Sequence, residues 1–169
     1  MTIPSGAAQG LLVLLDSGPL GLISHPRATS DANACKAWLS HLLAQNHTVV
    51  VPEIVYYETR RELRRVELKN GVPSPGLANM EAFAAGAGIV PLTSAALHLA
   101  SELWAIARNK HSAGAPDLAL DADVILCAQA QSLNPVSWGA RGARVVIATT
   151  NVKHLVSFAD ADHWQNIQP

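Results

Sequence analysis

The run Leu11-Leu-Val-Leu-Leu-Asp16 constrains the fold of this chain more than any other stretch. Five consecutive branched aliphatics, closed by Gly18 and Pro19, form an apolar segment too short for a buried helix. Because they show no alternation, they read as a strand covered on both faces, as in the middle of a parallel sheet. Thr48 to Val51 and Ala143 to Thr150 repeat the pattern, and Gly88 to Leu92 gives a further strand. Stretches with helical spacing of apolar residues separate these runs, and strands alternating with helices imply an α/β fold. The expectation is a three-layer α/β/α sandwich around a central, mostly parallel sheet. At 169 residues the chain reads as one domain, 1–169, with its core from about Leu11 to about Leu155.

Composition narrows the function classes. Only 15% of residues are charged while 49% are hydrophobic, so burial is extensive and a subunit interface is compatible with it. A net charge of −1 supplies no global attraction to nucleic acid, and such contact must come from a local patch. Cys35 and Cys127 lack CxxC or zinc spacing and read as reduced, buried thiols. The seven histidines form no HExxH pattern, and His98 has no second His or Cys one turn away. The start MTIPSGAAQG has no basic region, and Leu11 to Leu15 is too short for a signal or a membrane span. The chain is read as soluble and cytoplasmic. No internal repeat or low-complexity segment is present.

After Asp16 a polar loop through His25-Pro26-Arg27 leads to a helix with Ala34, Trp38, Leu39, Leu42 and Leu43, capped by Asp31 or Asn33. Pro52 ends the second strand and opens a long helix, Glu53 to Leu68. On it Glu58 shares a face with Ile54 and Val55, an unusual place for a charge. Arg60, Arg61, Arg64 and Arg65 follow, with Lys69 a turn later. They form either a solvated surface, with Arg61–Glu58, Arg65–Glu62 and Arg64–Glu67 pairs at (i, i+3), or a phosphate-contacting strip.

The loop Gly71 to Gly76, a helix over Leu77 to Ala85 and a helix capped near Thr93 or Ser94 come next, then a loop over Asn109 to Pro116. Asp117, Asp121 and Asp123 precede an apolar helix; acids there are favoured by the helix dipole, and Asp121 is assigned as the cap. Asp123 shares a face with Cys127 and Ala130 and is directed toward the sheet. Asn134 to Gly139 is a turn-rich connection, Asn151 closes the last strand, and Trp164 and Ile167 anchor the tail.

Asp16 ends a strand, where open α/β sheets bind ligands, or else it caps the following turn. Asn151 holds the corresponding place on its own strand, again as a turn residue or as a functional one. With Glu58 and Asp123, these points are gathered along one sheet edge. Carboxylates so close repel and take up protons unless a cation holds them. Mg²⁺ and Mn²⁺ prefer such oxygens, and a bound cation of this kind points to phosphodiester hydrolysis.

The runs LLVLLDSGPL, VPEIVYYETRREL, DADVILCAQA and VVIATTNVKHL, in this order and at these spacings, resemble the PIN-domain ribonucleases, VapC-type toxins in particular. The resemblance runs from about Leu11 to about Leu155. It implies that Asp16, Glu58 and Asp123 are the acidic metal-site residues, with Asn151 at the polar position after the last strand and Thr149 the threonine that precedes it. It further implies Mg²⁺- or Mn²⁺-dependent RNA cleavage, a homodimer and an antitoxin partner. Where many members carry a further acid beyond that position, this chain has His154, so a second ion is held less well unless Asp121 or Asp117 compensates. Two other readings compete: a PIN-like domain with weakened catalysis that acts as a binding or regulatory partner, and an aspartyl phosphoacceptor. The latter lacks the acidic pair and the late lysine it needs.

Overall fold

A computed structural model describes residues 10–110 and 117–168. Its elements are β1 (Leu11–Leu15), α1 (Ser17–Ser24), α2 (Ser30–Ala44), β2 (Thr48–Pro52), α3 (Glu53–Asn70), α4 (Pro75–Ala87), β3 (Ile89–Val90), α5 (Ser94–Lys110), α6 (Asp117–Ser132), β4 (Arg144–Thr149) and β5 (Ala161–His163). The five strands among the described residues form one sheet, ordered β3-β2-β1-β4-β5, and every pairing is parallel. The architecture is therefore α/β, with the expected parallel sheet.

β1 is the central strand because its residues tolerate no water on either face. Leu12, Val13, Leu14 and Leu15 are completely buried, between β2 in one direction and β4 in the other. Fully burying each such side chain contributes roughly 1.5–3 kcal/mol. From β1 the chain runs outward through β2 to β3, then crosses back to place β4 on the opposite side of β1. The strand order thus reverses between β1 and β4. At such a switch point the loops that follow the two strands diverge and leave a crevice.

Several local expectations are corrected. Gly18 and Pro19 do not close a turn: Ser17–Ser24 is a helix, capped by Asp16, whose side chain accepts the Ser17 N–H. Proline is harmless in a first turn, where its missing N–H has no intrahelical partner anyway, and Leu20 and Ile23 supply the buried face. The cap of α2 is Thr29, whose hydroxyl accepts the Ala32 N–H at 3.3 Å, so Asp31 lies in the first turn rather than at the cap. Asp121 does not cap α6 either, because that helix already begins at Asp117 and carries all three acids within it. The loop placed at Asn109 to Pro116 begins later, since α5 continues through Lys110; residues 111–116 and the start of the chain at 1–9 lie outside the described residues.

Two further contacts set the helices. Pro52 offers α3 no side-chain cap. The fully buried Gln129 of α6 supplies one from a distance, accepting the Ile54 N–H at 3.3 Å and donating to the Val90 carbonyl at 2.9 Å. The tail packs as expected, with Trp164 and Ile167 buried; the Trp38 indole donates to the Ile167 carbonyl at 2.9 Å and meets Trp164 edge-on. The three-residue strand β5 was not anticipated, since Ala161-Asp-His163 carries no apolar run. Cys35 and Cys127 are free and buried, as expected.

Candidate active site

The crevice at the switch point begins with Asp16, one residue past β1. Its N–H donates to the Ala148 carbonyl at 2.9 Å, continuing the β1–β4 ladder, so its side chain stands beside Thr149. Thr149 is completely buried, and its hydroxyl donates to Asp16 Oδ2 at 2.6 Å. Asp16 Oδ1 accepts the Ser17 N–H at 2.6 Å. Both carboxylate oxygens are thereby fixed in orientation, yet each retains acceptor capacity on its other lone pair. The capping and site roles of Asp16 are thus not alternatives, because one residue performs the first in a place that suits the second.

The same hydroxyl of Thr149 accepts the Asn151 N–H at 2.9 Å. This turns the chain sharply after β4 and leaves Asn151 exposed, with its Oδ1 accepting the Lys153 N–H at 3.4 Å. Gly18 is required here: a Cβ at that position would collide with the Thr150 side chain, so only glycine lets α1 approach this turn.

Glu58 and Asp123 reach the crevice from α3 and α6. Partial burial raises the pKa of Glu58 above the usual carboxylate value; Arg61 opposes the rise and the Asp16 charge adds to it. Asp123 is pushed from its ordinary 3.8 to about 6, first by burial, then by the charge of Asp16 and to a smaller degree that of Glu58, with His154 pulling the other way. The negative field extends to the buried Cys127 thiol, pushed up to about 12 by burial and then by Asp123 and Asp16. The three carboxylates from distant parts of the chain therefore act on one another. Among the described residues, however, no three His, Cys, Asp or Glu side chains approach closely enough to hold one ion.

This arrangement suits a hydrated hard cation better than a closed cage. Mg²⁺ keeps several waters and is commonly held by one or two carboxylates together with substrate phosphate. The donor set is all oxygen, and mutual repulsion within it is relieved by positive charge. The residues present thus fit such an ion.

The remaining candidates are placed as follows. Asp121 is exposed and lies with Leu97, Ser101 and Trp104 along the α5–α6 surface, and it does not figure among the charges that act on Asp123. The side chain of Asp117 lies outside the described residues. His154 is exposed and close enough to influence Asp123. Each arginine of α3 is ion-paired: Arg61 with Glu58 at 3.2 Å, Arg64 with Glu67 at 2.6 Å, Arg65 with Glu62 at 2.6 Å, and Arg60 with Glu81 of α4 at 3.0 Å. The first three are the (i, i+3) pairs read from spacing. Sequence reasoning missed Gln129 altogether, since nothing marks it among the apolar residues of α6, and missed α1 as the wall of the crevice.

A parallel sheet that reverses its strand order between β1 and β4, with Asp16 at the switch point, defines an open α/β protein. No family model matches the chain, and no curated protein does. Solved structures do match. The chain is similar to one in the VapBC2 complex of Rickettsia felis bound to a DNA fragment from its promoter, with TM-score 0.61 and 16% identity over 91% of this chain and 99% of that one. It is likewise similar to a chain of VapBC-1 from nontypeable Haemophilus influenzae (TM-score 0.59, 16% identity, 92% and 100% covered) and of FitAcB from Neisseria gonorrhoeae (TM-score 0.57, 16% identity, 92% and 99% covered). The fold is thus the PIN-like fold of the chains in these complexes. Among the described residues no helix is long and apolar enough to cross a membrane.

Proposed function

We propose that this chain is a divalent-cation-dependent endoribonuclease and the toxin of a type II toxin–antitoxin pair. The observation that carries the reading is the convergence of Asp16, Glu58 and Asp123 at the switch point, where the affinity of Asp123 for its proton depends on both other carboxylates. Asp16 and Asp123 would hold Mg²⁺ or Mn²⁺, with Glu58 completing the site or orienting a water. Such an ion, when bound, lowers the pKa of a water and neutralises charge on a phosphate. The chain's own residues do the positioning. Thr149 keeps Asp16 from rotating, through its 2.6 Å hydrogen bond. Asn151, exposed beside it, offers its amide to a substrate oxygen. Arg61 favours the ionised form of Glu58 and is the arginine of the α3 strip placed next to the site.

The fold shared with chains of the VapBC and FitAcB complexes supports an antitoxin as partner, and we extend the proposal to a cytoplasmic homodimer. The test is cleavage of single-stranded RNA in Mn²⁺. Asp16→Asn is expected to abolish it while the protein stays folded, and an Asp16→Asn protein as fast as the parent refutes the assignment. The lack, among the described residues, of three ligands in reach of one ion favours a second reading, a PIN-like binding partner with little catalysis. Calorimetric titration separates the two: heat on adding millimolar Mn²⁺ supports the enzyme, and a silent titration supports the binding partner.

A further inference from the structure

Beside the carboxylates, α1 and α3 enclose a cleft of about 400 Å³, lined by Ser17 and Gly21 from α1 and by Glu58, Arg61, Glu62 and Leu63 from α3. That size falls in the range of roughly 300–1,000 Å³ usual for small-molecule sites. Three features describe what it takes. First, both carboxylates on its walls are already engaged by arginines, Glu58 by Arg61 and Glu62 by Arg65, which lies just outside the lining. A bare phosphate gains little there, whereas a neutral heterocycle meets acceptors on the carboxylates and donors on the guanidinium. Second, Arg61 is half-exposed and extends over the ring of Tyr57 at 5.3 Å from its centroid, and Tyr57 is 57% exposed. Of the two only Arg61 lines the cleft, and a planar guanidinium held in place by a ring offers a stacking face of the kind that holds unpaired bases. Third, Gly21 interrupts an eight-residue helix at some loss of helix stability, yet a Cβ built on it would meet nothing within 4 Å. Backbone geometry and packing therefore do not require glycine there, while a side chain would project into the cleft.

We propose that the α1–α3 cleft seats one unpaired nucleotide of the RNA next to the scissile phosphate, with Arg61, held over Tyr57, as its stacking surface and Gly21 as the residue that keeps it open. This inference rests on the ribonuclease reading and deepens it to the place where one base of the substrate is held. No phosphate contact is required of the other arginines of α3, which are engaged with glutamates.

The experiment measures cleavage of a labelled single-stranded oligoribonucleotide in Mn²⁺ by the parent, Gly21→Ala, Gly21→Leu and Arg61→Ala. Because a side chain at position 21 enters open space and improves helix propensity, Gly21→Leu is expected to melt no lower than the parent. Loss of a stacked base corresponds to about a 5- to 150-fold change. Gly21→Leu is expected to raise KM into that range with a much smaller change in kcat, Gly21→Ala to raise KM less because its side chain is shorter, and Arg61→Ala to raise KM and also lower kcat, since Glu58 loses its partner. Unchanged KM in Gly21→Leu, with the parent active, overturns the cleft assignment and leaves the ribonuclease reading standing. A fall in kcat alone also overturns it, since the substitution then acts on the carboxylates. A parent that cleaves no RNA overturns the ribonuclease reading itself, and this inference with it.

Discussion

Replacing Asp123 with asparagine is expected to stabilise the metal-free protein at neutral and alkaline pH. Asp123 has a folded-state pKa of about 6 against an ordinary 3.8, because burial and the charges of Asp16 and Glu58 disfavour its ionised form more than His154 favours it. The folded chain thus holds this proton more tightly than the unfolded chain does. Below pH 3.8 both states are protonated and the group has no effect. Between 3.8 and about 6 the unfolded chain ionises first and stability falls as pH rises, and above about 6 the loss is complete. At 1.36 kcal/mol per pH unit the full loss is about 3 kcal/mol. Water reaches part of the side chain and screens the field, which reduces the expected value to roughly 1–2 kcal/mol. For a chain of this size that is about 2–8 °C in melting temperature. Melts of parent and Asp123→Asn in chelator, at pH 3.5 and at pH 8, measure it directly. The variant should be the more stable at pH 8, with the advantage vanishing at pH 3.5. Added Mn²⁺ should raise the parent by mass action and raise the variant less. A variant no more stable than the parent at pH 8 refutes the picture of a crowded negative site.

Other perturbations test the elements that hold the site. Thr149→Val removes the hydroxyl on Asp16 with little change in shape and should reduce Mn²⁺-dependent cleavage by about 10–100-fold, with Thr149→Ser restoring most of it. Gly18→Val should force α1 away from Thr150, lowering activity and thermal stability together. Gln129→Leu leaves the Ile54 N–H and the Val90 carbonyl without partners, at about 1–3 kcal/mol each, and urea unfolding should register a loss in that range or above it. Arg65→Ala deletes one side of an exposed pair and should leave the melting temperature where it was.

Apart from β5, the strands were legible because burial leaves little choice of residue. A run such as Leu11–Leu15 has no polar position to turn toward water, and its neighbours in the sheet follow from the same rule. Local spacing also showed the helix-surface ion pairs of α3, since residues three apart meet on any helix. What misled was end chemistry. Gly18-Pro19 is a turn signal in isolation, and only the cap supplied by Asp16 and the burial of Leu20 and Ile23 make it the first turn of α1. Asp121 resembles a cap in isolation, but α6 already begins at Asp117, a full turn earlier.

By itself the chain determined that Asp16 closes a strand and that the sheet is parallel, since both are read from short stretches of residues. Tertiary structure decided the rest. It set the reversal of strand order between β1 and β4 that brings Asp16 beside Thr149, and the Gln129 bridge that joins α6 to the start of α3. It also left the α1–α3 cleft open at Gly21. These depend on residues separated by long stretches of chain, where contact is fixed by how the sheet is crossed and packed rather than by spacing.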